Sequence, residues 1–194
     1  MKPVPLILIL MISAGLFAAS GPRSAPAVQK ANTTTSYVIT NDDSPGKAGS
    51  TGVTFFPISS GGTLGNSTRV SLGGSGIGGG YFDAARISIF ANSSGDSCAF
   101  AALAGPAEIG AVDINAQQDI GDFSGSTTDS AGANGIGLAN NGTYLYANFT
   151  GSNTIATFTM LPGCGLNFLG DISVLGKQKG NVKGMAVHGN LMVV

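Results

Sequence analysis

The feature that most constrains this chain is a repeat held at one spacing. Ile87, Ile136 and Met185 each open a short apolar alternation, and successive copies stand 49 residues apart. In the first copy, Arg86-Ile87-Ser88-Ile89 leads through Asn92-Ser93-Ser94-Gly95 into Cys98-Ala99-Phe100-Ala101-Ala102. In the second, Gly135-Ile136-Gly137-Leu138 leads through Asn140-Asn141-Gly142 into Tyr144-Leu145-Tyr146-Ala147-Asn148. The third runs from Gly184-Met185-Ala186-Val187 through His188-Gly189-Asn190 into Leu191-Met192-Val193-Val194. An apolar alternation, an Asn/Gly turn and a second apolar run make a β-hairpin. A fixed period of this size means stacked units that share one continuous core.

Each hairpin is followed by two more strand-like runs. These are Ile109 to Ile114 and Ile120 to Phe123 in the first copy, and Thr154 to Met160 and Leu166 to Leu169 in the second. The N-terminal segment fits the same register without its first strand, with runs at Tyr37 to Asn41, Val53 to Ile58 and Thr68 to Leu72. Four strands per unit at a period in the forties is the pattern of a propeller blade. The expected fold is therefore all-β, a partial β-propeller of four-stranded antiparallel blades, with about three to four blades present. A β-sandwich also strings short strands between turns, but it does not explain a constant period.

Tyr37-x-x-x-Asn41 and Tyr144-x-x-x-Asn148, the latter followed by Ser152-Asn153-Thr154-Ile155, resemble the YVTN-type propeller repeat, a group that includes the seven-bladed, lactonase-like propellers. The resemblance runs from about Tyr37 to Val194. One departure lies in the first copy, where Ala102-Leu103-Ala104-Gly105-Pro106 replaces the aromatic-asparagine ending. With strands lettered A to D from the channel outwards, the expected divisions are B–D of one blade (37–72), full blades at 86–123 and 135–175, and A–B of a further blade (184–194). Val194 falls inside a strand and no closing strand is present, so a chain cut short is expected.

Residues 1–27 are expected to be a secretory signal and 28–36 a linker. Lys2 gives a positive start, Leu6 to Ala19 is an apolar run of 14 residues, and small residues follow through Ala27. A membrane-spanning helix needs ~20 apolar residues, so a stable span after cleavage is not expected. The competing arrangement is an uncleaved anchor. The expected location is secreted or extracellular, or periplasmic in a bacterium. A net charge of −1 provides no basic field, which excludes nucleic acid as an expected partner. With a single histidine, His188, a zinc site lacks ligands, and neither a metal nor a cofactor is expected.

Propeller geometry puts the D–A and B–C loops on one face and the A–B and C–D turns on the other. The D–A loops are long and glycine-rich, at Gly73 to Ala85, Ser124 to Asn134 and Gly176 to Lys183. Asp42, Asp43, Asp83, Arg86 and Asp129 fall on the loop face and are the candidate ligand-binding residues, with Lys183 beside them. The competing role for each is turn formation or solvation. His188 is placed on an A–B turn, on the opposite face, so no Ser-His-Asp or Cys-His set can be assembled around it. The letters of Gly74-x-Gly76-x-x-Gly79 match a dinucleotide fingerprint, but no helix follows to meet a pyrophosphate. Cys98 and Cys164 fall on the same face of neighbouring blades, and a disulfide between them requires Cα atoms within about 7 Å. Two separate buried thiols is the alternative.

Five Asn-x-Ser/Thr sequons occur, at Asn32, Asn66, Asn92, Asn141 and Asn148, several of them expected by chance in so Asn-, Ser- and Thr-rich a chain. The expected function is a secreted binding or interaction module for a protein, carbohydrate or small molecule. The alternative is a lactonase-like hydrolase acting on a sugar lactone at the channel mouth, which the resemblance implies without carrying an active site onto named positions.

Overall fold

The strand Ser97–Leu103 reads as a continuous run of apolar residues, and every residue from Cys98 to Leu103 is buried. Successive side chains of a strand point to opposite faces, so such a run must be covered on both sides. That requirement is met by sheets stacked face to face. The computed structural model describes residues 35–42, 44–77, 86–132, 135–174, 182 and 184–194.

Among these residues the chain is all-β, a partial propeller of antiparallel sheets. The first sheet has three strands, β1 (Ser36–Asn41), β2 (Gly52–Ile58) and β3 (Thr68–Ser71), in that order. The second blade runs β4 (Ile87–Ala91), β5 (Ser97–Leu103), β6 (Glu108–Asp113) and β7 (Gln118–Ser124). The third runs β8 (Ile136–Asn140), β9 (Tyr144–Phe149), β10 (Thr154–Met160) and β11 (Leu166–Ser173), with a 3₁₀ turn at Pro162–Cys164. A final hairpin pairs β12 (Ala186–His188) with β13 (Leu191–Val193). His188 closes β12 opposite Leu191, one residue short of the turn in which the sequence placed it.

Turn chemistry sets the hairpins. The Asn92 side-chain oxygen accepts the N–H groups of Ser94 and Asp96, and Asn141 does the same for Thr143 and Tyr144. The two outer hairpins carry matching bulges, between Ala111 and Val112 and between Thr157 and Phe158. Opposite them stand Gly121 at φ 138° and Gly170 at φ 155°, again 49 residues apart. A left-handed conformation of this kind favours glycine, so the repeat preserves the bulge as well as the strands.

The core lies in the seams between blades. One face of β5 presents Ala99, Ala101 and Leu103, which join Val53, Phe55 and Leu72 of the first sheet, with Tyr37 against Phe55 at 5.8 Å between ring centroids. The other face presents Cys98, Phe100 and Ala102 to Ile136, Leu138, Ala147, Phe149 and Phe158 of the third blade. Small alanines in the middle strand allow both neighbours to approach closely. Outer strands β7 and β11 are largely exposed.

The second seam is also covalent. Cys98 at the start of β5 and Cys164 in the 3₁₀ turn form a disulfide with Cα atoms 5.5 Å apart, both residues being 1% exposed. The bridge spans 66 residues of sequence, and closing a loop of this length in the unfolded chain is worth roughly 4 kcal/mol. Replacing both cysteines with alanine is expected to lower the free energy of unfolding by that order, measured by urea unfolding as a fall in the denaturation midpoint. An unchanged midpoint would show that apolar packing alone holds the seam.

Candidate functional site

At one end of the sheets, several strand-connecting loops are tied to one another by backbone hydrogen bonds. The β1–β2 loop meets the segment leaving β3 through Gly49 N–H to the Gly73 and Gly74 carbonyls and Gly76 N–H to the Ser44 carbonyl. Gly105, in the β5–β6 turn, donates to the Ser75 carbonyl of that same segment. In the third blade, the β9–β10 turn holds the preceding loop through Gly151 and Ser152 N–H to the Ser130 carbonyl.

The candidate residues occupy this face in different ways. Asp42 is held by Arg69, whose Nε lies 2.7 Å from its Oδ2, and its other oxygen takes the Gly52 N–H. Arg69 also donates to the Ser50 carbonyl at 2.8 Å, so the pair ties the first loop to the outer strand. Asp129 accepts the Ser126 N–H at 2.8 Å and the Thr154 hydroxyl at 2.6 Å, fixing the second loop to β10. Both carboxylates act here as loop fasteners. Asp43, Asp83 and Lys183 lie outside the described residues, as do residues 1–34.

Arg86 differs. Its carbonyl accepts the Asn41 side-chain amide at 3.2 Å and the Ala102 N–H at 2.9 Å, while its half-buried guanidinium lies across Gly135. Partial burial lowers its pKa below the ordinary value. Arg86 and Asp42 belong to neighbouring blades, and the hydrogen bonds described for Asp42 and Asp129 do not run to Arg86.

A cavity of about 450 Å³ opens on the same face between the first and second blades. Ala48, Gly73, Gly74, Ser75, Gly105, Pro106 and Glu108 line it. Sequence reasoning missed it, although Gly105-Pro106 belongs to the segment that departs from the repeat. Beside it stands Asp122, whose carboxyl is tucked against Gly73 although the residue as a whole is exposed. Burial of the carboxyl, then the charges of Asp119 and Glu108, raise its pKa above the ordinary 3.8, against a lowering by the Gly73 N–H. A second cavity, of about 200 Å³, lies on the opposite face between Tyr144, Tyr146 and the final hairpin. His188 is exposed beside it, and no group of three or more metal-ligating side chains occurs among the described residues.

No family model and no curated protein matches the chain. Its fold is similar to that of a candidate 6-phosphogluconolactonase from Bacteroides uniformis ATCC 8492, at a TM-score of 0.54 and 12% identity, over 77% of this chain and 43% of that one. A second candidate 6-phosphogluconolactonase, from Bacteroides fragilis NCTC 9343, matches at a TM-score of 0.45 and 15% identity, over 76% of this chain and 39% of that one. The chain thus spans less than half the length of the solved structures it matches. The first likeness shows a shared fold.

A carboxyl whose folded pKa is raised binds its proton more tightly in the folded chain than in the unfolded one. Its effect is a loss of stability as pH rises from the unfolded value through the raised one. Asp122→Asn removes the charge and keeps an acceptor for Gly73. The variant is expected to melt above the wild type, by a margin that widens from about pH 4 to pH 7. A margin constant across that range would show that neither burial nor the neighbouring carboxylates raise the Asp122 pKa in the folded chain.

Proposed function

We propose that this chain supplies blades of a lactonase-like hydrolase that opens a sugar lactone at the loop face of the propeller. The observation that carries the reading is the shared fold over 77% of the chain with a candidate 6-phosphogluconolactonase. The position of the loops adds support, since a rigid sheet scaffold presents ligands to the loops at one end.

The reaction is simple in its balance. Water adds to the acyl carbon, the bond from that carbon to the ring oxygen breaks, and the ring oxygen ends as a hydroxyl while the acyl group becomes a carboxylate. One proton is released. The chemistry requires an acceptor for the proton of water and hydrogen-bond donors for the carbonyl oxygen as it gains charge. Raised pKa values mark carboxyls suited to proton transfer, and Asp122 beside the cavity is the described carboxyl of this kind.

The second reading is a binding module without catalysis. It is favoured by Asp42 and Asp129, whose oxygens are committed to Arg69, Gly52, Ser126 and Thr154. Export belongs to either reading, on the strength of the signal-like residues 1–27. Among the described residues no helix is long and apolar enough to cross a membrane.

Hydrolysis of glucono-δ-lactone and of its 6-phosphorylated counterpart, followed by acid release at constant pH, separates the two readings. Turnover above the spontaneous rate is expected. Saturable binding with no turnover would replace the hydrolase with the binding module.

A further inference from the structure

The seams between blades are closed in different ways at the face opposite the loops. Near the start of β1, β5 and β9 stand Tyr37, Cys98 and Tyr144, each turned toward the blade that follows. In the first seam Tyr37 packs into the core with its ring against Phe55. In the second, Cys98 is bridged to Cys164. In the third, Tyr144 is 36% exposed, and a cavity of about 200 Å³ lies between it, Tyr146 and the final hairpin. Among the described residues the repeat thus closes two seam ends and leaves the third open.

The walls of this opening have a definite chemistry. The Tyr144 and Tyr146 rings stand 6.4 Å apart between centroids and are tilted by 55°. Two rings at this angle form a corner, with one face to lie on and an edge beside it. Val187 and Met192, a cross-strand pair of the hairpin, supply apolar surface opposite. Asn141 is committed, its Oδ1 accepting the N–H groups of Thr143 and Tyr144 and its Nδ2 donating to the Tyr146 hydroxyl at 3.3 Å. The second ring is thereby fixed. The Tyr144 hydroxyl and the Asn190 amide make no hydrogen bond to the described residues, which leaves donors and acceptors at the rim. No lining residue carries a charge, so nothing there offsets the desolvation of an ionised group.

A ligand that matches these walls has an apolar face, hydroxyl groups around its edge and no charge. A neutral sugar ring has all three, since its C–H face can lie on tyrosine while its hydroxyls exchange hydrogen bonds with phenol and amide groups. Tyrosine, rigid and amphipathic, presents such a surface at little cost in conformational entropy. We propose that the cavity between β9 and the final hairpin binds a neutral, glycosidically linked sugar, with Tyr144 as its platform and Asn190 as its hydrogen-bonding partner. The lining has no carboxyl, imidazole or ammonium group, so the site holds a glycan without cleaving it. This goes beyond the lactone-opening reading and does not depend on it, because the ligand is an acetal and the cavity lies on the face away from the loops.

The chain has four tyrosines and no tryptophan, so tyrosine emission reports on the site directly. The full chain is titrated with the methyl glycosides of glucose, galactose, mannose and N-acetylglucosamine, followed by emission and by calorimetry. Saturable binding of at least one is expected, with a Kd of about 1 mM, the scale for so small a ligand. Tyr144→Ala is expected to weaken that glycoside about tenfold, as removal of an aromatic anchor does, and to leave lactone turnover unchanged. Tyr144→Phe, which keeps the ring and loses the hydroxyl, falls between. Asn190→Asp keeps the shape and removes the amide donor, and is expected to weaken binding about threefold. Where Tyr144→Ala fails to fold, as read by circular dichroism, the other two variants decide. No saturation at about fifty times that Kd overturns the site. So does wild-type affinity in every folded variant. Tighter binding of the methyl glycosides of glucosamine or glucuronic acid overturns the neutral class. Glycoside binding without lactone turnover removes the hydrolase and keeps this site, and lactone turnover without glycoside binding does the reverse.

Discussion

Everything in this structure depends on β5 being buried on both faces. A sheet with one wet face could stand alone against a helix or a second sheet. Here Phe100 and Ala102 point one way and Ala101 and Leu103 the other, all at or near zero exposure. Neither set can be left in water without the cost of exposing a strand-length of apolar surface, at roughly 25 cal/mol per Å². The second blade therefore demands a neighbour on each side, and those neighbours place their loops beside its own. The loop face is a consequence of the stacking.

Each described seam has its own fastener. The first is crossed by the amide of Asn41, which donates to Arg86 and Ala102. The seam toward the final hairpin is crossed by Asn148, donating to the Val182 carbonyl at 3.1 Å. Between them, the corresponding face of β5 carries Cys98, Phe100 and Ala102, and this seam holds the disulfide, together with the Asn140 amide of β8, which donates across it to the Ser88 hydroxyl at 2.7 Å and the Ile89 carbonyl at 3.0 Å. The amides have a cost. The side-chain oxygens of Asn41 and Asn148 are buried without a hydrogen-bond partner among the described residues. A buried acceptor left unmade costs about 1–3 kcal/mol, so each latch gives back part of what its donor contributes. The disulfide fastens the middle seam without adding a buried acceptor of its own.

The sheet architecture was legible because burial on two faces and a fixed period both leave marks in the letters. Ile87 and Ile136 open their strands as the spacing requires, and the bulge glycines Gly121 and Gly170 repeat at the same interval. The third copy begins one residue later, at Ala186, and its strand keeps His188. The site was less legible, because the residue type that marks a ligand also marks a turn. Asp42 and Asp129 lie on the loop face, yet Asp42 has its oxygens turned onto Arg69 of β3 and the Gly52 N–H, and Asp129 onto the Ser126 N–H and the Thr154 hydroxyl of β10. Asp122 gave no signal, since its pKa is raised first by burial against a neighbouring sheet and then by Asp119 on its own strand and by Glu108, which the β6–β7 pairing brings near, against a lowering by the Gly73 N–H.

The same logic separates Arg86 from the other charged residues of the loop face. A carboxylate in a loop can satisfy itself locally, because its acceptors match the N–H groups that every turn leaves over. An arginine has five donors in a fixed plane and must look further for oxygen atoms. In Arg69 that need is met within one sheet, by Asp42, Ser50 and Ser71. Arg86 extends over a glycine of the adjoining blade, at a repeat position where the next two copies have no side chain at all. Turn formation explains the aspartates, and sheet bracing explains Arg69. At position 86 the repeat departs from its next two copies, and the side chain reaches across the seam to the blade that follows.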